Sequence, residues 1–312
     1  MISRRNIRIK VMQTLYEITT LEQNLSVENT VADRILDQKF EQILDVFCSC
    51  VLLLLKVAEF ADHDAIQRSN RYLKTEGDQN VSIKIAHCLW VQKISGSKTF
   101  KKRLADKHPE RFLNDDWVRK IYQLLVKSDE YVAYATSEVS RIEADLEIMK
   151  FIWESLVLTE NGLSQQFSDD LPGWDDNGEI IIIMMQNLLK GTYKTDFDEL
   201  LNQSKKEYAY DLLHTVIDKE AECLALIAPK LNNWDTERVA LIDMIVLRMG
   251  ICEFLFFQSI PTKVTINEYI DIAKLYSTSH SGQFVNGVLD NILKDMMREG
   301  RIQKDDRGNK EM

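Results

Sequence analysis

The sequence predicts an all-α protein, and three observations support this prediction. Only 11 glycines and 4 prolines interrupt 312 residues, so turn-forming residues are scarce. Apolar residues recur three and four positions apart along most of the chain, which is the period of one helical face. With 45% hydrophobic residues, the chain can bury a substantial core. The one candidate strand, Ile180 to Ile183, has no second strand to pair with, so we expect a buried helix there.

The N-terminal two thirds of the chain is predicted to form a series of helices. The first helix spans about residues 3–21, and a second helical pattern spans residues 27–73 as one long helix or two collinear ones. Three or four helices are expected between residues 81 and 161. The stretch 169–178 is rich in Asp, Gly and Pro and is therefore predicted to be a loop.

The C-terminal third carries sharper helix signals. One apolar face continues over residues 208–224, and Asp235 is a candidate N-cap for a helix that reaches Phe257. Residues 265–268, Thr-Ile-Asn-Glu, have the form of a capping box and predict another helix start. A last apolar helix follows, and the charged tail 298–312 is expected to fray.

The net charge restricts how the chain could bind nucleic acid. The formal charge is −10 and the pI is about 5.2, so the overall field repels RNA and binding requires a local basic patch. An acidic surface also suits a basic protein partner. The first helix supplies one basic patch before its first acid, Glu17, and from the residues alone phosphate contact and a solvated helix face are equally good interpretations. Its members are Arg4, Arg5, Arg8 and Lys10.

A second basic cluster lies in the middle of the chain. It has Asp106 as its only acid, and a solvated surface is the favoured interpretation, with an extended RNA footprint as the alternative. The cluster consists of Lys98, Lys101, Lys102, Arg103 and Lys107.

The residues that could support catalysis or export show no recognisable pattern. Five cysteines without a C-x-x-C pair favour reduced thiols in a cytoplasmic protein. The five histidines lack metal-binding spacing, and no glycine-rich nucleotide loop is present. Arg8, Lys10 and Gln13 interrupt the apolar stretch that an export signal needs. We therefore expect a cytoplasmic protein that is not an enzyme and uses no cofactor or metal.

Several motifs in the last third of the chain resemble the NusB transcription antitermination family. They occur in the family's order between residues 233 and 290, and the N-terminal RRNIRIKVMQTLYE resembles the family's arginine-rich first helix. The matching motifs are Leu247, Arg248 and Glu253; Lys263-Val264; Ile266-Asn267-Glu268; Ala273-Lys274; and Phe284-Val285-Asn286-Gly287-Val288-Leu289-Asp290.

The resemblance implies a domain organisation and a function. A NusB-like helical core would comprise residues 1–21 and 197–297, and residues 22–196 would form a helical insertion packed on that core. The family binds the boxA element of ribosomal RNA leader transcripts together with the ribosomal protein NusE, in an antitermination complex with RNA polymerase. We expect the same of this chain, with no membrane association.

The resemblance also implies site residues in the last helix. Its spacing alone favours Phe284 as a core residue, whereas the resemblance implies that the ring faces RNA, where an unpaired base can stack on it. Gln283 and Asn286 would contact RNA beside it, and Gly287 should permit close helix packing. His280 and Gln283 depart from the acid and base that are frequent in the family at these positions, and His280 could make RNA binding pH-sensitive.

For the protein partner, the resemblance points to Tyr16 and to Asp243. Tyrosine is a common interface anchor and an acid complements a basic partner, although a solvated helix position explains Asp243 equally well. Arg248 and Glu253 are expected to make structural pairs instead. Two other interpretations remain open: a module of the kind attached to ribosomal RNA methyltransferases, and a helical protein-binding scaffold without RNA affinity.

Overall fold

The structure is a computed structural model that describes residues 2–21, 29–70, 82–138, 141–159, 162–191, 197, 201–231 and 239–305. Within these ranges it contains fourteen α-helices and no strand, so the predicted all-α class is confirmed. The helices are α1 Arg4–Leu21, α2 Asn29–Ser69, α3 Leu89–Ser95, α4 Lys98–Lys107, α5 Asp115–Leu125, α6 Asp129–Thr136, α7 Ile142–Phe151, α8 Ser164–Asp170, α9 Trp174–Leu189, α10 Gln203–Asp218, α11 Glu220–Ile227, α12 Leu241–Phe256, α13 Thr262–Tyr276 and α14 Ser281–Arg298.

The chain divides into two compact units. We call Ile2–Lys39 together with Leu201–Met312 the core unit, and Phe40–Leu200 the insertion unit. The first boundary lies inside α2, well beyond residue 21, because polar contacts tie the first turns of α2 to the core unit. Asp33 lies 2.6 Å from His214 of α10, Lys39 lies 2.7 Å from Glu17 of α1, and Asp37 accepts a hydrogen bond from Tyr210.

Helix α12 lies at the centre of the core unit. It packs against α1, α10, α11, α13 and α14, and its residues are apolar nearly all round, as expected of a central helix. Gly250 permits the approach of α14, because an added Cβ would lie only 2.9 Å from Leu289. The expectation that Gly287 serves close packing is wrong, since an added Cβ there would meet open space.

The insertion unit has a core rich in aromatic rings. The Phe197 ring lies 4.8 Å from that of Phe100, and the Phe167 ring lies 5.5 Å from that of Trp117. A buried carboxylate ties three helices together, since Asp145 of α7 accepts hydrogen bonds from the Leu89 backbone and the Tyr134 hydroxyl. Rings bury large areas, so this unit can hold several short helices.

Several helix boundaries differ from those that the sequence predicted. Five short helices, α3 to α7, occupy the region expected to hold three or four, because local caps such as Ser97 and Ser128 start new helices. The predicted loop 169–178 is mostly helical. Only residues 171–173 separate α8 from α9, and Gly173 makes this short turn with a φ of 84°.

The C-terminal third also shows two corrections. The predicted face 208–224 is divided between α10 and α11 at Lys219. The capping box is wrong, because α13 begins at Thr262 and Thr265 lies within it, buried. Asp235 lies outside the described residues. Other expectations held: α2 is one long helix, and the apolar run Ile180 to Ile183 is helical, within α9.

The C-terminal tail docks on α12 as far as Asp305. The Lys304 ammonium donates to the carbonyl oxygens of Glu253 and Phe257, both at 2.9 Å, at the helix end where carbonyls lack intrahelical partners. The expected fraying is therefore wrong for residues 301–305. Burial lowers the pKa of Lys304 to about 8.

Candidate nucleic-acid interface

Two of the four basic residues of α1 are buried. Arg8 is only 2% exposed, and its guanidinium donates to both carboxylate oxygens of Glu253 at 2.7 and 3.1 Å. Lys10 is buried as well, and its ammonium donates to the Gln13 amide oxygen at 2.9 Å. The predicted RNA contacts of Arg8 and Lys10 conflict with this burial, because both charged groups are buried and hydrogen-bonded to other residues of the protein.

Glu253 is the hub of a buried polar network. Besides the Arg8 guanidinium, its carboxylate accepts hydrogen bonds from the hydroxyls of Tyr208 at 2.6 Å, Tyr269 at 2.9 Å and Thr265 at 2.9 Å. Burial alone raises the pKa of Glu253, but the Arg8 charge and these hydrogen bonds outweigh it, so the pKa lies below its usual value. The carboxylate is therefore ionised and joins α1, α10, α12 and α13.

The other two arginines of α1 are available at the surface. Arg4 is exposed, and its guanidinium lies 5.4 Å from the centre of the Tyr208 ring. Arg5 is partly exposed and pairs with Asp271 of α13 at 3.0 Å. A half-exposed ion pair of this kind is weak, so it can be exchanged for a phosphate at little cost. Arg4 and Arg5 thus remain candidate phosphate contacts.

An open cleft lies at the start of α14. Its volume is about 580 Å³, and its lining combines a ring, amide groups and a lysine. The lining residues are Lys230, His280, Gln283, Phe284, Gly287, Val288 and Asn291. Of the predicted RNA-binding residues, Gln283 and Phe284 line this cleft, whereas the arginines of α1 and Asn286 are not among its lining residues.

Phe284 is more buried than the resemblance implied. It is 7% exposed and belongs to the apolar stripe of α14 that continues through Val288 and Ile292. The expectation of a ring presented to solvent is therefore wrong, because the stripe packs into the core unit. The ring still lines the cleft. Gln283 and Asn286, three residues apart on α14, are both exposed.

Comparison with known proteins identifies the family. The NusB family model matches residues 179–294. The transcription antitermination protein NusB of Salinibacter ruber is 38% identical over 123 residues, covering 39% of this chain and 76% of that protein. The chain belongs to the NusB family. The NusB protein of Methylacidiphilum infernorum is 40% identical over 99 residues, covering 32% of this chain and 69% of its own.

A solved structure of NusB from T. maritima is also similar. It is 34% identical and covers 35% of this chain and 82% of its own length, with a TM-score of 0.29. The NusB match begins at residue 179, within α9, so it includes part of the insertion unit as well as most of the core unit.

The two predicted partner-binding residues have opposite environments in this NusB chain. Tyr16 is 42% exposed on α1 and remains a candidate anchor. Asp243 is 5% exposed and accepts a hydrogen bond from the Ser281 hydroxyl at 2.7 Å. The prediction that Asp243 meets a partner conflicts with this burial. Arg248 pairs with Glu220 at 2.8 Å, and Glu253 pairs with Arg8, so their structural roles are confirmed.

Two cleft residues were not predicted from the sequence. Asn291 lies one helical turn beyond Gly287, and its amide donates to the Gly287 carbonyl at 2.9 Å, so the polar face of α14 could have indicated it. Lys230 follows α11 and pairs with Asp295. No local pattern indicates Lys230, because only the packing of α11 against α14 brings it to the cleft.

Within the described ranges, no helix is both long and apolar enough to cross a bilayer. Among the same residues, no group of three or more His, Cys, Asp or Glu side chains could hold a metal ion.

Proposed function

We propose that this chain is a cytoplasmic, RNA-binding transcription antitermination factor without enzymatic activity. In this proposal it binds the boxA element of ribosomal RNA leader transcripts together with NusE and helps RNA polymerase resist termination. The membership in the NusB family and the relatives named as transcription antitermination proteins support the general role. The surface of the core unit supports the RNA-binding part.

The cleft at the start of α14 is the observation that carries the proposal. Single-stranded RNA is recognised when an unpaired base meets an aromatic wall and polar groups that contact its edge. The cleft offers the Phe284 ring, the Gln283 and Asn291 amides and the Lys230 ammonium. Asn286 is exposed one turn along the same helix and extends the polar surface.

The exposed arginines supply the electrostatic part of the proposed RNA contact. Because the chain carries a net charge of −10, RNA must be held by local cations. Arg4 and Arg5 stand at the first turn of α1, and guanidinium groups donate bidentate hydrogen bonds to phosphate. We assign phosphate contact to these two residues and leave out Arg8 and Lys10, which are buried.

The protein partner in this proposal is the basic ribosomal protein NusE. The acidic overall charge favours association with a basic protein, and the exposed Tyr16 ring offers an anchor. Replacement of Tyr16 by Ala should weaken NusE binding and leave the free energy of unfolding nearly unchanged, because the side chain is exposed.

The decisive experiment is a titration of boxA RNA and a scrambled RNA of equal length, each with and without NusE. We expect tighter binding of boxA and a further gain with NusE. The variant Gln283→Ala/Asn286→Ala should reduce the preference for boxA, whereas the control Gln203→Ala/Gln303→Ala, which removes two exposed amides elsewhere in the core unit, should not. Equal binding of both RNAs would contradict the boxA assignment, and retained NusE binding would then favour a protein-binding scaffold.

A further inference from the structure

Helix α4 of the insertion unit carries five basic residues and one acid in ten positions. The structure divides these charges between two faces. One face is bound to acids of α2, and the other is exposed to solvent. The sequence alone did not distinguish the basic residues that bind α2 from those that are exposed.

The bound face fixes α4 to α2. The Arg103 guanidinium pairs with Glu41 at 3.0 Å and with Asp45 at 2.8 Å, and the Lys107 ammonium pairs with Glu41 at 3.1 Å. Arg103 is buried, and Phe100 packs in the aromatic core on the same side. The helix is therefore held at a defined rotation, so the charges on its other side are held in fixed positions.

The exposed face presents three lysines at helical spacing. Lys98, Lys101 and Lys102 are all exposed and lie three and four residues apart, so they share one surface. Lys98 and Lys101 form no ion pair with any residue that the structure describes. In a chain of net charge −10, Lys98 and Lys101 are thus two cations with no acid paired to them among the residues that the structure describes.

Lys98 is the first residue of α4, where a positive charge is unfavourable. A helix N-terminus carries a partial positive charge, so acids stabilise the first turn and lysines destabilise it. Helices α5, α6, α7 and α9 of the same unit have two acids each in the first turn; α3, α4 and α8 have none, and of these three only α4 begins with a lysine, Lys98. The helix dipole therefore does not explain why a lysine stands at the first position of α4.

We propose that Lys98, Lys101 and Lys102 form a second RNA-binding surface, which holds single-stranded RNA flanking boxA without regard to its sequence. The inference rests on the proposed function. Ammonium groups meet phosphates as point charges and do not distinguish bases. The one ring of α4, Phe100, is buried, so a base cannot stack on it.

RNA fits this surface better than an acidic protein partner. An RNA bound through boxA continues on both sides as the same polyanion, so its flanks reach any other basic surface of this chain at high effective concentration. Weak contacts from three lysines then suffice. We express the gain as the ratio of the affinities for flanked and minimal boxA. The logarithm of this ratio should fall with log salt at a slope near −2, because each of three phosphate contacts contributes about −0.7. The ratio should therefore fall roughly twentyfold between 50 and 200 mM salt.

The test measures the full chain with four RNA probes: minimal boxA, a scrambled RNA of the same length, boxA with oligouridine flanks of increasing length on either side, and oligouridine alone. Polyglutamate is the probe for an acidic protein. The variant is Lys98→Gln/Lys101→Gln/Lys102→Gln. The matched control is Lys127→Gln/Lys150→Gln/Lys190→Gln, which removes the same charge from exposed lysines of the same unit. We expect flanks to tighten binding to the wild type and the control, and to tighten it far less for the variant.

The outcomes separate this inference from the proposed function. Binding of minimal boxA tests the RNA site of the core unit. If the chain binds minimal boxA no better than scrambled RNA, the result contradicts the proposed function and not the lysine surface. Oligouridine reports on the lysines whether or not boxA is recognised. The inference is overturned if variant and control bind flanked boxA and oligouridine equally, or if the lysine replacements weaken binding of polyglutamate and not of RNA.

Discussion

Helices α1 and α4 are both basic, and both divide their charges between the interior and the surface. In α1, Arg8 binds Glu253, which is 0% exposed and accepts three further hydrogen bonds from hydroxyl groups. In α4, Arg103 binds Glu41, whose side chain is 43% exposed. The comparison shows that two buried arginines of basic helices can pair with carboxylates of very different exposure, one fully buried and one partly solvated.

The difference in exposure predicts different energetic roles. A buried carboxylate loses its charge compensation when the paired cation is removed, because water cannot reach it. A carboxylate at the surface is hydrated by water when its partner is lost. Loss of the buried arginine should therefore lower the free energy of unfolding more in α1 than in α4. The exposed arginines and lysines of both helices should affect RNA binding and leave the free energy of unfolding nearly unchanged.

The largest expected effect comes from Arg8→Ala. The change leaves the Glu253 charge buried with only hydroxyl donors, so the free energy of unfolding should fall by about 3 to 5 kcal/mol. Urea denaturation measures the free energy of unfolding. The control is Arg5→Ala, which should lower it by less than ~1 kcal/mol because the ion pair of Arg5 is half exposed. Equal effects of the two changes would remove the distinction between the buried and exposed arginines.

The same network predicts a pH dependence. The pKa of Glu253 is lower in the folded chain than in the unfolded chain, so its contribution to stability is full above the usual glutamate pKa of ~4.3 and is lost as the pH falls through the folded value. The difference in unfolding free energy between wild type and Glu253→Gln should therefore shrink below about pH 4. A difference that stays constant from pH 7 to pH 3 would contradict an ionised Glu253.

Phe284→Ala should have the next largest effect. The ring is mostly buried but borders the cleft, so the loss of unfolding free energy should be near the lower end of the ~3 to 5 kcal/mol typical of such changes. Phe284→Leu keeps most of the volume and should cost less than ~1.5 kcal/mol. If a base stacks in the cleft, Phe284→Leu should still weaken boxA binding by ~1 to 3 kcal/mol. Unchanged RNA affinity of Phe284→Leu would make the ring a core residue only.

Arg103→Ala tests the α4 side of the comparison. Its partners Glu41 and Asp45 remain partly solvated, so we expect a loss of about 1.5 to 3 kcal/mol in unfolding free energy, below that of Arg8→Ala. The double replacement Arg103→Ala/Glu41→Ala should recover part of this loss. If Arg103→Ala is as costly as Arg8→Ala, the exposure of the carboxylate does not decide the cost.

The smallest effect on stability is expected for Arg4→Gln/Arg5→Gln. Both side chains are at the surface, so the free energy of unfolding should change by less than ~0.5 kcal/mol. RNA affinity should fall, and the slope of log affinity against log salt should become shallower by about 1.4, which is ~0.7 for each phosphate contact. RNA titrations at several salt concentrations measure it, and an unchanged slope would exclude both arginines from phosphate contact.

The sequence by itself determined the all-α class, the extent of α1, the presence of a last apolar helix, and the family resemblance. These follow from local information, because helical periodicity and ordered motifs can be recognised without knowledge of distant contacts. The predicted loop at 169–178 was wrong because a short turn at Gly173 leaves the rest of this stretch helical. The predicted start of α13 was wrong because Thr265 is buried inside the helix and does not cap it.

Only the tertiary structure decided which basic residues are available to RNA. Arg4 and Arg8 are one turn apart on α1, and nothing in the local sequence separates them. Arg8 is buried because Glu253, 245 residues further along the chain, is brought against it when α12 packs on α1. Asp243 was misjudged for the same reason, because it is buried against Ser281, which lies 38 residues further along the chain. Burial depends on contacts between distant segments, and local patterns do not contain that information.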